Sequence, residues 1–223
     1  MISQARITFS AIVCGLGLFA MTVFTVAKGN LWAASTVANY RVVDLGTLEQ
    51  AVGGMVRGPN TANEVVGATV IPNSGIRAFL LNDQRFENLK GLPGTDWSSA
   101  HGINDIGGVA GSSNTASAVR AFRWTRATGA QQLSPLPGDN VSEAFAINRH
   151  NEVAGYSSGP KGVEATIWNS IAQIERIGRL ASGDQSRGLG INERSEVVGV
   201  SGTSRRTRAF RWRRGEGMRD LGT

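Results

Sequence analysis

The sequence predicts an all-β array of about four propeller-like units, each a four-stranded antiparallel sheet. Asn60, Asn104, Asn148 and Asn192 stand 44 residues apart, and Trp124, Trp168 and Trp212 keep the same step. A fixed period of about 20 to 50 residues is typical of solenoids, propellers and arrays. Each period holds four short β-rich runs separated by Gly, Asn, Ser or Pro, and no segment after residue 40 has a sustained helical pattern. Four short strands per period is the number of strands in a propeller blade.

Residues 1–34 form a leader that precedes the array. Arg6 comes before an uncharged apolar run, residues 7–27, which is followed by Lys28 and the small-residue stretch "WAASTVA". This order resembles a secretory signal peptide. The helical run, at about 20 residues, is also long enough to remain as a membrane anchor, and Trp32 occupies a position where cleavage favours a small residue. Both alternatives predict export, to the cell envelope or the extracellular space.

Residues 35–223 then make one domain of four repeats. The only cysteine, Cys14, lies in the leader. Disulfides, thiol nucleophiles and thiolate metal sites are therefore excluded from the repeats.

The first run of each repeat ends in Ile-Asn and predicts the innermost strand. Small residues alternate along it, which predicts that they share one face toward a crowded axis: Ala100 and Gly102, Ala144 and Ala146, Gly188 and Gly190. The Asn that follows can accept hydrogen bonds from N–H groups two residues on, and the residue three positions later tolerates a left-handed backbone. A structural hairpin turn is favoured over a cation site, because only Asp105 adds a carboxylate beside the Asn.

The other three runs complete the sheet. A Val-Gly run comes second and an aromatic run third. In the aromatic run, two side chains share a face suited to packing between sheets rather than to ligand stacking: Phe122 and Trp124, or Phe210 and Trp212. The fourth run ends near Leu and is placed outermost. There are five such runs for four inner ones, so residues 40–45 could complete the last unit of a closed ring. The alternative is an incomplete segment of a longer array. We favour an incomplete or open array, whose edges could pair with another copy.

The combination Ile-Asn-x-x-Gly-x-Val-x-Gly, Arg-Ala-Phe-x-Trp, Asp-Leu-Gly-Thr-Leu and Leu-Pro-Gly resembles the HAF family of probable extracellular repeats over residues 40–223. The family triplet is His-Ala-Phe, whereas this chain has Arg77-Ala78-Phe79, Arg120-Ala121-Phe122, Ala165-Thr166-Ile167 and Arg208-Ala209-Phe210. The resemblance implies export and a β-repeat architecture. It implies neither an established activity nor catalytic residues.

The sequence contains few candidate catalytic groups. His101 shares a column with Arg57, Phe145 and Leu189, which predicts a packing position, and His150 lies in a hairpin turn. No Ser-His-Asp motif, phosphate-binding Gly loop or metal-spaced His pair occurs, so we expect no enzyme, cofactor or metal site. A carbohydrate-active enzyme is a minor alternative, resting on carboxylates that could converge in space: Asp96, Asp139, Asp184 and Glu143.

A binding module is the predicted function, with a glycan, an acidic polysaccharide or a surface protein as ligand. The loops that enter the inner strands carry polar pairs at 44-residue spacing: Asp96 and Ser98, Asn140 and Ser142, Asp184 and Ser186. The loops that follow the Val-Gly strands vary, and in an up-and-down sheet both kinds lie on the same rim. Variable polar loops on a rigid scaffold are where binding usually occurs. The alternative is that these pairs form Asx-type turns.

Charge suggests a second surface. The chain carries a formal net charge of +6, and its last repeat concentrates arginines, including Arg205, Arg206, Arg213 and Arg214. They predict an anionic partner, such as acidic polysaccharide or lipid head groups, unless they form a solvated face. Nucleic acid is not expected for an exported chain without a recognised module. The competing function is a structural spacer that self-associates through sheet edges and, unlike a binding module, gains no thermal stability from ligand.

Overall fold

The structure, a computed structural model, describes residues 51–82, 85–181, 183–203 and 205–222, which belong to one compact unit. The predicted leader and residues 40–45 lie outside the described residues. Within the described part, no helix is long and apolar enough to cross a membrane.

Sixteen strands form four antiparallel sheets of four strands, each in sequence order. Sheet 1 contains β1 (Gly53–Arg57), β2 (Val65–Ile71), β3 (Gly75–Asn82) and β4 (Arg85–Asn88). Sheet 2 contains β5 (Ser98–Ile103), β6 (Val109–Asn114), β7 (Val119–Thr125) and β8 (Gly129–Leu133). Sheet 3 contains β9 (Val141–Ile147), β10 (Val153–Gly159), β11 (Gly162–Trp168) and β12 (Ile174–Gly178). Sheet 4 contains β13 (Gln185–Ile191), β14 (Val197–Gly202), β15 (Thr207–Arg213) and β16 (Gly217–Asp220). The predicted all-β class and the four-stranded repeat are confirmed.

The sheets pack in succession, 1 on 2, 2 on 3 and 3 on 4. The first strands β1, β5, β9 and β13 contact one another in that order, so they line the inner edge of the array as predicted. Extensive strand packing stops at sheet 4: among the described residues, sheets 1 and 4 share no comparable contact. The described residues therefore form an open array.

Three apolar clusters fill the spaces between consecutive sheets. Phe122 and Trp124 lie between sheets 1 and 2, Trp168 between sheets 2 and 3, and Phe210 and Trp212 between sheets 3 and 4. Burial of each large side chain stabilises the array by roughly 1.5–3 kcal/mol. The predicted role of these aromatic residues as core is confirmed.

A β-bulge interrupts β5, β9 and β13. In β5, Ala100 pairs with Gly111 and Gly102 pairs with Ala110, so His101 is the extra residue. The partners Gly111 and Ala110 are adjacent in β6 and therefore point to opposite faces of the sheet. Ala100 and Gly102 consequently point to opposite faces too, and the prediction that they share one face was wrong. Gly102 must be small for another reason: a Cβ there would lie 2.8 Å from the Phe145 carbonyl oxygen on the neighbouring inner strand.

Candidate functional site

The Ile-Asn turns have the predicted structure. In the first turn of sheet 3, Asn148 Oδ1 accepts hydrogen bonds from the N–H groups of His150 and Glu152, both at 3.0 Å. The residue three beyond each Asn has a left-handed backbone: φ is 58° at Asn63, 78° at Gly107, 60° at Asn151 and 60° at Ser195. The hairpin turns therefore serve the fold.

The same asparagines also join neighbouring sheets, which the sequence did not predict. The side-chain amide of Asn60 donates to the Asn104 carbonyl at 3.0 Å, that of Asn104 to the Asn148 carbonyl at 2.7 Å, and that of Asn148 to the Asn192 carbonyl at 3.1 Å. We call this series the asparagine ladder. It runs along one rim of the array and fixes each sheet against the next.

The opposite rim carries the predicted binding residues Asp96, Asn140 and Asp184, and we call it the entry rim. All three side chains are exposed. Their backbone is held in place: the Arg77 and Arg120 side chains donate to the carbonyl groups of Asp96 and Asn140. The N–H groups of Asn140 and Asp184 donate to the carbonyl groups of Ser158 in β10 and Gly202 in β14, each at 3.1 Å. The entry rim thus presents polar side chains on a fixed backbone.

The serines of the predicted pairs do not reach the rim surface. Ser98, Ser142 and Ser186 are buried, and their hydroxyls accept hydrogen bonds from backbone N–H groups of the preceding sheet at 2.8 to 3.0 Å. Ser142 also donates to the Leu133 carbonyl at 2.8 Å. A buried hydroxyl in these contacts stabilises the sheet interface, so of the three predicted pairs only Asp96, Asn140 and Asp184 can contact a ligand at the rim.

A second group lies farther down the inner strands, and we call it the inner-wall cluster: His101, Glu143, Phe145, Tyr156 and Arg187. His101 and Phe145 are the extra residues of two bulges, and His101 reaches the next sheet, where its ring stacks on that of Phe145 with centroids 5.5 Å apart. Phe145 contacts Tyr156 at 5.9 Å, and the Arg187 guanidinium lies 5.2 Å from the Tyr156 ring. All five side chains are half-buried. Glu143 and Arg187 each follow an entry-rim residue by three positions, so the cluster adjoins the rim.

Two groups of the inner-wall cluster have altered proton affinity. Burial lowers the pKa of His101, and its Nδ1 donates to the Ala144 carbonyl at 2.7 Å, since a carbonyl can only accept. Burial, reinforced by the Glu143 carboxylate, raises the pKa of Tyr156 above its ordinary range, and the Tyr156 hydroxyl donates to Glu143 at 2.7 Å. The imidazole is thus neutral near pH 7 and the phenol stays protonated. The cluster offers aromatic faces and fixed hydrogen-bonding groups.

Three of the four carboxylates of the minor enzymatic alternative have a separate local partner. Asp96 accepts from the Asn114 amide, Asp139 from the Ser157 hydroxyl at 2.6 Å, and Glu143 from Tyr156. Among the described residues, no three His, Cys, Asp or Glu side chains are grouped so that they could hold a metal ion.

The predicted arginine patch is divided by the fold. Arg205 and Arg206 lie in the loop before β15, whereas Arg213 ends this strand and Arg214 follows it. The seven-residue strand β15, which ends at Arg213, places the two pairs about 20 Å apart. Arg213 also pairs with Glu196 and Glu216, and Arg214 with Glu175 at 2.7 Å. The four arginines therefore do not form one anion site, and only Arg205 and Arg206 remain for the predicted anionic partner.

No protein-family model matches the sequence, and no curated protein matches it. Among solved structures, the chain is similar to TolB from Agrobacterium tumefaciens, with 14% identity and a TM-score of 0.56, over 71% of this chain and 61% of that one. TolB from Acinetobacter baumannii gives 9% identity and a TM-score of 0.57, over 75% and 43%. The β-propeller domain of the Trilobed protease from Pyrococcus furiosus, described as having an open velcro topology, gives 14% and 0.51, over 77% and 54%.

These likenesses show the fold alone: the four sheets are β-propeller blades. The chain spans about half the length of the propeller-containing chains that it matches.

Proposed function

We propose that this chain is an exported, non-catalytic binding module that holds a glycan on the entry rim and the adjoining inner-wall cluster. The observation that carries the proposal is the placement of Asp96, Asn140 and Asp184. They are exposed, they occupy the same position in three of the four repeats, and their backbone is fixed by hydrogen bonds to neighbouring strands. Polar side chains repeated on a rigid scaffold are suited to ligand binding.

The chemistry of the surface favours a ligand rich in hydroxyl groups. Carboxylate and amide side chains accept hydrogen bonds from hydroxyls or donate to them, and the exposed parts of the half-buried Phe145 and Tyr156 rings offer apolar surface for a sugar ring. Few convergent polar groups beside aromatic side chains are typical of small-ligand sites. A surface protein is the alternative ligand. Export to the cell envelope or the extracellular space is supported by the leader and by the resemblance to HAF repeats.

Calorimetric titration with oligosaccharides, neutral and acidic, tests the proposal. The triple variant Asp96→Ala, Asn140→Ala, Asp184→Ala should lose about 3 kcal/mol, or about a hundredfold in affinity, from three hydrogen bonds. Its melting temperature should stay close to that of the parent. A matched control, Ile106→Ala, His150→Ala, Arg194→Ala, alters three exposed residues at 44-residue spacing on the opposite rim. It should leave affinity unchanged.

Three results would contradict the proposal. Full binding by the triple variant would place the ligand elsewhere, and loss of binding in the control would place it on the asparagine-ladder rim. A lower melting temperature of the triple variant, without any change in affinity, would identify the three residues as turn formers.

A structural array is the second candidate function. It is favoured by the apolar residues exposed on sheets 1 and 4, because an array built for assembly needs exposed apolar surface through which copies associate.

A further inference from the structure

The turns between the second and third strands of each sheet reach the entry rim, and their charge changes along the array. One position at the tip of this turn recurs in all four sheets, and its residues are Ser74, Ser117, Lys161 and Arg205. In sheet 4 a second cation, Arg206, follows at a position where the other sheets have Gly or Ala. These turns therefore add three cations to the half of the entry rim that sheets 3 and 4 form.

The exposure of these turn tips is independent of the neighbouring sheets. Ser74, Ser117 and Lys161 are all exposed, although a following sheet packs beside each of their sheets. Arg205 occupies the same position in sheet 4 and is exposed as well. Its exposure thus follows from its place at the tip of a turn.

Both basic turns lie beside the same entry-rim residue, Asp184. A Cβ at Gly162, which follows Lys161, would lie 3.3 Å from the Asp184 carbonyl oxygen. On the other side, the Asp184 N–H group donates to the carbonyl of Gly202 at 3.1 Å, and Gly202 lies directly against the Arg206 carbonyl group. Asp184 therefore has a basic turn on each side.

Arg179 adds a fourth cation at this point. Its Nη2 donates to the Lys161 carbonyl at 2.8 Å and its Nε to the Val163 carbonyl at 3.1 Å, so the guanidinium is fixed against the turn of sheet 3. The equivalent residues at the two earlier sheet borders are Gly91 and Pro135, which carry no charge. We call the four cations around Asp184 the basic rim cluster: Lys161, Arg179, Arg205 and Arg206.

The backbone of the turn that carries Arg205 and Arg206 is held by Thr203. The Thr203 hydroxyl accepts hydrogen bonds from the N–H groups of both arginines, at 3.3 and 3.2 Å. The Thr203 N–H group donates in turn to the Arg206 carbonyl at 2.9 Å. A ligand therefore has to order only the two side chains and not the turn itself, which lowers the entropic cost of binding.

The carboxylates near the basic rim cluster do not cancel its charge. Glu164 and Asp220 are each paired with an arginine outside the cluster, and Glu164 lies 3.9 Å from Arg179 as well. The other adjacent carboxylates are Asp184 and Asp139, which lies beside Gly159. Four cations against these two carboxylates leave an excess of two positive charges on this half of the entry rim.

We propose that the basic rim cluster binds the carboxylate groups of an acidic polysaccharide whose hydroxyl groups contact the entry rim. This inference rests on the proposed function, because it names the class of glycan. Lys161 and Arg205 occupy equivalent positions of two packed sheets, which stand about 10 Å apart. That spacing fits successive acidic groups of a polymer better than one small ion. Asp184, between the basic turns, accepts a hydrogen bond from a sugar hydroxyl.

A lipid surface fits this half of the rim less well. Surfaces that bind membranes combine cations with apolar side chains that enter the bilayer. Among the described residues of the two basic turns, no large hydrophobic side chain is exposed. The Asp184 carboxylate would also face the anionic head groups. The same cations therefore favour a polysaccharide.

Calorimetric titration of the full chain with a uronic-acid oligosaccharide tests this proposal, beside the same oligosaccharide with its carboxyl groups reduced to alcohols. At low ionic strength the acidic ligand should bind about tenfold more tightly, from three exposed charge contacts. This preference should disappear at about 1 M salt, where charges are screened beyond about 3 Å. The variant Lys161→Gln, Arg205→Gln, Arg206→Gln should lose the preference and keep its affinity for the reduced ligand. Arg179 stays intact because it supports the backbone.

A matched control removes three exposed arginines from the asparagine-ladder rim: Arg85→Gln, Arg149→Gln, Arg194→Gln. It changes the net charge equally and should keep the preference for the acidic ligand. A control that loses the preference as the cluster variant does would overturn the proposal, because net charge alone would then account for it. Both variants should keep the parent's melting temperature, since the replaced side chains are exposed.

The remaining outcomes separate this inference from the proposed function. Equal affinity of the parent for both ligands, lost in the triple variant of Asp96, Asn140 and Asp184, would overturn the inference and leave the proposed function standing. Absence of binding to either ligand would contradict both. Binding to vesicles of phosphatidylcholine and phosphatidylglycerol that the cluster variant loses, without preference for the acidic oligosaccharide, would also overturn the inference and make a lipid surface the partner.

Discussion

Replacing Asn148 by Ala should destabilise the array more than the same change at Asn192. Asn148 is buried and makes four hydrogen bonds: its Oδ1 accepts two turn N–H groups, and its amide donates to Glu152 at 2.8 Å and to the Asn192 carbonyl at 3.1 Å. At a net value near 1 kcal/mol per bond, with two bonds within a partly solvated turn, the loss is about 2–4 kcal/mol.

Asn192 provides the matched control. Its Oδ1 accepts from Arg194 and Glu196 at 2.9 and 3.0 Å, and its amide donates to Glu196 at 2.6 Å, but it makes no ladder bond to another described sheet. It is also exposed, so its replacement should cost about 1–2 kcal/mol. The difference between the two variants measures the inter-sheet bond and its burial.

Urea unfolding followed by circular dichroism measures both losses, and midpoints can be compared if the slopes agree. Equal midpoints for Asn148→Ala and Asn192→Ala would refute the argument that the ladder joins the sheets. A lower midpoint for Asn192→Ala would refute it as well.

Two further predictions concern buried ionisable groups. Arg123→Ala should lower the free energy of unfolding by about 2–4 kcal/mol, because two hydrogen bonds from a buried charge are lost. Arg211 occupies the equivalent position in sheet 4 without such bonds, so Arg211→Ala should lower the free energy of unfolding by under about 0.5 kcal/mol. Equal losses in urea unfolding would contradict this. Because burial holds the pKa of His101 below its ordinary 6.5, the unfolded chain binds that proton more tightly, and stability should fall as the pH drops through about 6.5. His101→Phe, which copies Phe145, should flatten the stability profile between about pH 7 and pH 5; an unchanged slope would show that His101 is not responsible.

The sequence was sufficient for the architecture because the turn residues recur once per period. Asn104 and Gly107 specify a hairpin by local chemistry, and the Phe122–Trp124 alternation identifies a buried face without knowledge of the partner sheet. Both features depend only on residues close in sequence. They were correctly predicted for the same reason.

Contacts across sheets were not predictable in this way. Ser98 was assigned to the rim with Asp96. Its hydroxyl instead accepts a hydrogen bond from the N–H group of Ala78, twenty residues earlier. The bulge at His101 leaves no local signature, so the projection of that side chain toward Phe145 was missed. Tyr156 stands where the other repeats have Ala68, Ser112 and Val200, and this departure from the repeat was the available signal for the inner-wall cluster.

The four predicted arginines do not share one surface, and the reason is topological. Arg206 and Arg213 are close in sequence, yet an intervening extended strand carries them to opposite rims. The 44-residue period also concealed a longer one, since arginine occupies one column in every second repeat, at Arg123 and Arg211. Recognising that alternation requires knowing that the column faces the following sheet.

Hydrogen exchange measured by mass spectrometry tests the open array most directly. At low protein concentration, amides of β5–β7 and β9–β11, which are packed on both faces, should exchange more slowly than those of β1 and β13–β14. Equal protection of all four sheets at low concentration would show that sheets 1 and 4 already contact each other within one chain, and would contradict the account.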